Sequence, residues 1–96
     1  MAKDSFEWDA GKDVANQLKH GVSFSEAQFA FADPLRVIAR DLSHSEVEER
    51  YYCFGQCGDR VMTGRFTYRN RQIRIIGAGF WRKGKRIYEQ ENQIHR

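Results

Sequence analysis

The sequence has very little proline and no long apolar segment. One residue of 96 is proline, while 14% are aromatic and 41% hydrophobic, a composition that argues against intrinsic disorder. The longest apolar runs are a few residues, far short of the roughly 20 needed to span a bilayer, so no membrane association is expected. Because the N-terminus carries acidic residues and no apolar core, no export signal is expected and the location predicted is the cytoplasm. This length predicts one domain over residues 1–96.

The sequence also lacks any spacing typical of a metal or cofactor site. Cys53 and Cys57 have no histidine pair nearby; they are expected to stay reduced and, on one strand, to share a face. The three histidines are far apart: His20, His44 and His95. Gly77-Ala78-Gly79 follows an expected strand, but no Lys-Ser/Thr of a phosphate loop comes after it. No metal and no cofactor are therefore predicted.

Charge is scarce in neither sign but is divided unevenly along the chain. Residues 1–59 hold six Lys/Arg against eleven Asp/Glu, whereas residues 60–96 hold ten against two. Lys and Arg that neutralise phosphates are the main source of nucleic-acid affinity, so the basic half predicts a polyanion partner, with RNA as the leading candidate. The alternative is that these cations only solvate the outer face of a sheet and a helix.

Two short helices are predicted before residue 35. Asp9 is a suitable N-cap for the first, which ends at Gly21 and should bury Val14 and Leu18, four residues apart. The second begins with a capping box in the segment 23–26 (Ser-Phe-Ser-Glu) and ends at Asp33-Pro34, because proline disfavours helical geometry in its predecessor.

The middle of the chain is typical of a β-meander. Strands are expected at 36–41, 50–57, 60–69 and 72–78, with a short one at 6–8, a loop at 42–49 and turns at 58–59 and 69–71. In the expected strand 60–69, one face should carry Met62, Phe66 and Tyr68, and the opposite face Thr63, Arg65, Thr67 and Arg69. Weak helical spacing returns near Ile87, and the tail 90–96 is expected to be frayed or disordered. The predicted class is α+β: two N-terminal helices, an antiparallel meander and a C-terminal helix.

The basic half contains the side chains that metal-free RNA cleavage requires. Such cleavage needs a group that takes the 2′-OH proton, a cation for the phosphorane charge and a donor to the leaving oxygen. Exposed aromatic rings stack unpaired bases. The candidates from the sheet are Arg65, Tyr68, Arg69 and Arg74, followed by Trp81, Arg82, Lys83 and Lys85. In the alternative, Trp81 lies in the core and the cations face water.

The chain resembles the BrnT-type toxins of bacterial type II toxin–antitoxin systems. The most specific part of the resemblance is the run Lys19-His20-Gly21-Val22-Ser23-Phe24. The other matching positions are Phe6-Glu7-Trp8-Asp9, Lys12, Asn16, Glu26-Ala27, Phe31, Asp33-Pro34, His44-Ser45-Glu46, Glu49-Arg50, Arg74-Ile75-Ile76, Ala78 and Tyr88-Glu89. Together they extend over nearly the whole chain, from about residue 6 to residue 89.

This resemblance implies a RelE-like α+β ribonuclease that arrests translation. It further implies a BrnA-like antitoxin with a ribbon-helix-helix domain, through which the complex would meet operator DNA indirectly. One departure concerns the segment after Ile76. Many members continue there with Ser-Ala-Arg and further arginines, whereas this chain has Gly77-Ala78-Gly79, so an arginine's role does not carry over to Gly79.

The sequence thus predicts a metal-independent endoribonuclease toxin. The predicted catalytic residues are His20 as base or acid, Arg65 and Arg82 as cations that stabilise phosphate charge, and Tyr68 to orient or donate a proton. Of the two cations, Arg82 is predicted to act in the transition state, because a guanidinium fork fits two phosphate oxygens at once. The predicted RNA-binding residues are Lys19, Arg69, Arg74, Trp81, Lys83 and Lys85. His20 has a structural alternative as a last-turn residue that hydrogen-bonds helix carbonyls. The alternative function is a non-catalytic basic module that acts as an antitoxin-bound corepressor.

Overall fold

A computed structural model describes residues 5–43 and 47–94 as three helices and a five-stranded sheet. The elements in chain order are β1 (Ser5–Glu7), α1 (Ala10–His20), α2 (Phe24–Ala32), β2 (Val37–Arg40), β3 (Tyr51–Cys57), β4 (Arg60–Arg69), β5 (Gln72–Gly79) and α3 (Arg82–Glu91). The α+β class is confirmed. No helix within these two ranges combines the length and the apolar character needed to cross a bilayer.

Local signals predicted the helix ends correctly. Asp9 caps α1 by accepting a hydrogen bond from the Lys12 N–H at 2.9 Å, and Gly21 ends it with a positive φ of 70°, where glycine carries no steric penalty. The capping box of α2 is present: the Glu26 N–H donates to Ser23 Oγ at 3.0 Å, and the Ser23 N–H donates to Glu26 Oε1 at 3.2 Å. Asp33 is the C-cap.

The predicted buried stripe of α1 is wrong. Val14 and Leu18 are 56% and 85% exposed, and no residue of α1 is buried. The helix is instead attached by a polar side chain, since the Asn16 amide donates to the carbonyls of Val22 and Ala78 and accepts from the Ala78 N–H. Two hydrogen bonds with Ala78 thus hold α1 against β5, and a third, to Val22, fixes the segment that follows the helix, in place of apolar burial.

The sheet is the predicted meander with one addition. β2, β3, β4 and β5 pair antiparallel in sequence order, close to the predicted bounds. The addition is β1, which pairs parallel to β5 and makes the strand order β1-β5-β4-β3-β2. Asn70 and Arg71 both have positive φ, which is the geometry of a tight hairpin turn between β4 and β5.

The two faces of the sheet are covered differently. The helix α2 packs on one face, where Phe24, Ala27 and Ala30 meet Met62 and Phe66 in the main core. Both cysteines are free and lie on this face, as predicted, because Cys53 belongs to that core and Cys57 packs against it. On the other face α3 covers β3 and β4 through a smaller apolar cluster and leaves the rest open.

A carboxylate ties the end of α2 to α3. Asp33 accepts hydrogen bonds from the Tyr88 hydroxyl at 2.6 Å and from the backbone N–H groups of Gln56 at 2.7 Å and Leu35 at 2.9 Å. Burial raises the pKa of Asp33, but these hydrogen bonds and the charge of Arg36 outweigh it and hold the pKa below its ordinary value. Asp33 of the Asp-Pro segment therefore has a structural role, because it connects the end of α2 to β3 and α3.

The C-terminal helix begins earlier than its weak periodicity indicated, at Arg82, and it continues to Glu91. Beyond it, the Asn92 side chain donates to the Leu35 carbonyl at 2.9 Å. Of the predicted tail, residues 95–96 lie outside the described residues. Residues 1–4 and residues 44–46, which are part of the family resemblance, also lie outside the described residues.

Candidate nucleic-acid interface

An open groove of about 850 Å³ lies on the second face of the sheet, between α1 and α3. Its floor is formed by the inner strands, and its walls by the polar side of α1 and the first turns of α3. Five Lys/Arg side chains and one histidine line it: Lys12, Lys19, Arg40, Arg65, Lys83 and His20. None of the described residues that line it is Asp or Glu. Two of these cations pair with carboxylates that do not line the groove, Arg40 with Glu49 at 2.6 Å and Arg65 with Asp41 at 3.3 Å. The charged side chains of the lining itself are all basic, which favours a polyanion in this concave site.

Arg65 is held in this groove by a buried carboxylate. Its guanidinium Nη2 lies 3.3 Å from Asp41 Oδ2, and its Cζ is 6.0 Å from the centre of the Tyr52 ring. The Arg65 side chain is 30% exposed, whereas that of Asp41 is 3% exposed. A buried carboxylate behind a partly exposed guanidinium fixes the direction of the cation and leaves part of it accessible from the groove.

The groove also contains a tyrosine that is held neutral. Burial raises the pKa of the Tyr52 phenol, the Asp41 carboxylate raises it further, and the opposing charge of Arg65 does not cancel the effect. Tyr52 is therefore a protonated donor at physiological pH. Two polar atoms of groove-lining residues, Thr63 Oγ1 and Arg65 Nε, are buried with no hydrogen-bond partner among the described residues.

His20 and Trp81 form an aromatic pair at one end of the groove. Their ring centres are 5.0 Å apart in an edge-to-face arrangement, and Trp81 is 40% exposed. The indole covers the Cα of Gly79, where a Cβ would lie only 2.5–2.8 Å from three ring atoms. Glycine at this position therefore allows the Trp81 ring to pack against the backbone, and the ring occupies the space that a side chain at residue 79 would enter.

The structure brings half of the predicted site residues together in this groove: Lys19, His20, Arg65, Trp81 and Lys83. Arg82 and Lys85 line a smaller depression, about 260 Å³, on the other side of Trp81. Tyr68 is exposed and contacts the rings of Tyr51 and Phe66, which place it on the α2 face. It does not line the groove.

The two remaining predicted cations are engaged in ion pairs outside the groove. Arg69 pairs with Glu48 at 3.1 Å, and Arg74 pairs with Glu7 at 3.6 Å. Sequence reasoning missed three groove residues, which are Lys12, Arg40 and Tyr52, and also Asp41, which contacts Arg65 from outside the lining. One signal for Tyr52 was available, because it lies opposite Arg65 in the meander and directly opposed residues share a face.

The geometry can be compared with known families. The family model described as "Ribonuclease toxin, BrnT, of type II toxin-antitoxin system" matches residues 8–84, most of the 96-residue chain. A comparison with curated proteins gives no match. The matched range contains α1, the strands β2 to β5 and the first residues of α3, and so includes nearly every residue that lines the groove.

Proposed function

Because the chain belongs to the BrnT family of ribonuclease toxins of type II toxin–antitoxin systems, we propose that the groove between α1 and α3 is its RNA-cleaving site. The observation that carries the proposal is the set of groove cations without a lining carboxylate, next to His20 and a neutral Tyr52. This combination offers a proton acceptor, a proton donor and charge stabilisation within one concavity.

The proposed reaction is attack of a ribose 2′-oxygen on the adjacent phosphorus, with cleavage of the bond to the 5′-oxygen. His20 takes the 2′-OH proton, and Tyr52 donates a proton to the departing 5′-oxygen. Arg65 stabilises the charge that develops on the phosphorane oxygens, where donors are most valuable. The products are a 2′,3′-cyclic phosphate and a 5′-hydroxyl. No metal ion takes part in these steps.

These roles differ from the sequence prediction at two residues. Tyr52 replaces Tyr68 as the donor, because Tyr68 is on the opposite face of the sheet. Arg65 replaces Arg82 as the principal transition-state cation, because Arg65 lines the groove and is oriented by Asp41. Lys12, Lys19 and Lys83 are proposed to hold the phosphates on either side of the scissile bond, since exposed lysines bind phosphate as point charges.

The family implies a protein antitoxin as the partner. We propose that the antitoxin is of the ribbon-helix-helix type, and that its acidic segments cover the groove and exclude RNA. The complex would bind operator DNA through the antitoxin alone. The toxin would act in the cytoplasm, where cleavage of RNA inhibits translation.

A second function is favoured by one observation. Trp81 fills the space beside Gly79, a position at which the family resemblance implies an arginine in many members. Loss of that arginine is compatible with a non-catalytic module that binds an acidic partner and serves as a corepressor. Binding to the antitoxin is common to both functions, so RNA cleavage distinguishes them.

The test is expression of the chain alone in bacteria, with growth and bulk RNA followed over time. The proposal predicts arrested growth and fragmented RNA, and rescue when the antitoxin is co-expressed. A matched control is His20→Ala, which removes the proposed base from an exposed position at a helix end. Normal growth with intact RNA at verified soluble expression would contradict the ribonuclease proposal and favour the corepressor.

A further inference from the structure

Trp81 lies on a ridge between two basic depressions. The same side chain lines the large groove and the smaller depression that contains Arg82 and Lys85. Its ring is fixed on both sides, by the Cα of Gly79 beneath it and by the His20 ring beside it. An indole that is restrained and yet 40% exposed is a surface on which a planar group can stack without ordering the side chain first.

The smaller depression is also basic. It is lined by Arg60, Arg82 and Lys85, against one carboxylate, Asp59, among the described residues that line it. The Arg60 guanidinium carbon lies 3.7 Å from the centre of the Phe80 ring, a stacked arrangement that directs the cation. The positive surface therefore continues past Trp81 and does not end at the groove.

The first turn of α3, next to this ridge, lacks the residues that normally stabilise a helix N-terminus. Its N-cap is Trp81, which provides no side-chain acceptor, and the first turn contains no acidic residue but does contain Arg82 and Lys83. Cations near a helix N-terminus interact unfavourably with the helix dipole. A sequence that departs from a local rule in this way is expected where function requires it. A phosphate bound at this N-terminus would interact favourably both with the helix dipole and with the two cations.

We propose that Trp81 and the Arg60–Arg82–Lys85 depression form a second subsite for single-stranded RNA, and that the strand crosses the indole on leaving the groove. This inference rests on the proposed function, because it treats the groove as the site where the scissile phosphate binds. An unpaired base stacks on Trp81, and the phosphates beyond it bind Arg60, Arg82 and Lys85. Single strands are favoured over duplexes because only an unpaired base exposes its face to the indole.

The test measures binding of oligouridylates carrying 2′-O-methyl groups, which cannot be cleaved by attack of the 2′-oxygen. A trimer is compared with a nonamer, on the wild type and on Arg60→Gln, Lys85→Gln and Arg86→Gln. Arg86 is the matched control, because it is an exposed cation of α3 that lines neither depression. Each lost phosphate contact should reduce the slope of log affinity against log salt by about 0.7 for a single strand.

The expected result is that Arg60→Gln and Lys85→Gln weaken binding of the nonamer and leave binding of the trimer unchanged, while Arg86→Gln changes neither. Trp81→Ala should weaken nonamer binding about 5- to 150-fold, the fold-change that corresponds to one lost base stack. A nonamer duplex should bind less tightly than the single strand.

Three results with RNA, and a fourth with an acidic peptide, would overturn the second subsite. Those with RNA are equal losses for both lengths, a loss with Arg86→Gln as large as with Lys85→Gln, or a duplex that binds as tightly as the single strand. Preferential binding of an acidic peptide, with no length dependence for RNA, would overturn it in favour of a protein partner. Failure of the proposed function would give a different result. The wild type would still bind the nonamer more tightly than the trimer, but it would not cleave the corresponding RNA.

Discussion

Asp41 provides the sharpest perturbation of the groove, because it orients Arg65 without facing the RNA. Its carboxylate is 3% exposed and accepts from Arg65 at 3.3 Å and from the Ser43 N–H at 3.1 Å. In Asp41→Asn one acceptor oxygen remains, but the charge that holds the guanidinium is lost. Hydrogen bonds to charged groups contribute about 1.5–3 kcal/mol. Because the Arg65 side chain is 30% exposed and water reaches it, we expect a loss of about 1–2 kcal/mol in the free energy of unfolding.

The same substitution should separate RNA binding from cleavage. It removes a negative charge from the neighbourhood of the phosphate, so the affinity for uncleavable RNA should stay constant or rise. Cleavage should slow about 10- to 100-fold, which is part of the roughly 100- to 1,000-fold cost of losing a whole transition-state donor. Affinity and single-turnover cleavage are measured separately, beside Glu48→Gln as the control. Glu48 pairs with Arg69 outside the groove.

The pH profile gives a second readout of this substitution. Burial and Asp41 raise the pKa of Tyr52, and activity that depends on the neutral phenol is lost as pH rises through that pKa. Without the Asp41 charge the pKa of Tyr52 falls, so the alkaline limb of the cleavage profile should move to lower pH. Weaker RNA binding with an unchanged cleavage rate and an unmoved alkaline limb would refute the assignment of Asp41 as a positioning residue.

Three further predictions follow from contacts elsewhere in the structure. Asp33→Asn should lower the free energy of unfolding by about 1–3 kcal/mol at neutral pH, because the Tyr88 hydroxyl loses a charged acceptor. Since the pKa of Asp33 lies below its ordinary value of 3.8, chemical denaturation should show this difference in full above that pH and a loss of it as pH falls through the folded-state pKa. Gly79→Ala should displace the rim of the Trp81 ring, so nonamer binding should fall nearly as far as in Trp81→Ala while the free energy of unfolding changes by under about 1 kcal/mol; an unchanged affinity would contradict the contact. Association with the antitoxin should slow steeply with salt, since the Debye length falls from about 30 Å at 0.01 M to 8 Å at 0.15 M, and a salt-independent on-rate in stopped-flow measurements would contradict docking on the groove.

Much of the fold could be predicted because its determinants are local. The caps at Asp9 and Ser23, the stop at Gly21 and the alternation along β4 are each decided by neighbours a few residues away, and all are confirmed. The position of β1 could not be predicted. A three-residue strand carries no sequence signal for its parallel pairing with β5, which joins residues far apart in the chain.

The site was harder to predict because it depends on side-chain direction. Arg82 and Lys83 are adjacent in sequence, yet they line different depressions, since consecutive helical residues are about 100° apart around the axis. Asp41 was not predicted as a site residue because a single aspartate at the end of a strand forms no recognisable sequence motif. Its role depends on its contact with Arg65, which only the folded structure shows. The error on Val14 and Leu18 has a similar origin, because helical periodicity identifies an apolar stripe but not whether anything covers it.

The central claim is that the groove itself cleaves RNA. The most direct measurement is single-turnover cleavage of an unstructured RNA by the purified protein in excess EDTA, comparing the wild type with His20→Ala, Arg65→Ala and Arg86→Ala. We predict cleavage that EDTA does not affect, with 2′,3′-cyclic phosphate ends. Rates should fall about 100- to 10,000-fold for His20→Ala and about 100- to 1,000-fold for Arg65→Ala, and stay unchanged for Arg86→Ala. No cleavage by the folded wild type, or cleavage at the wild-type rate by both groove variants, would contradict the claim.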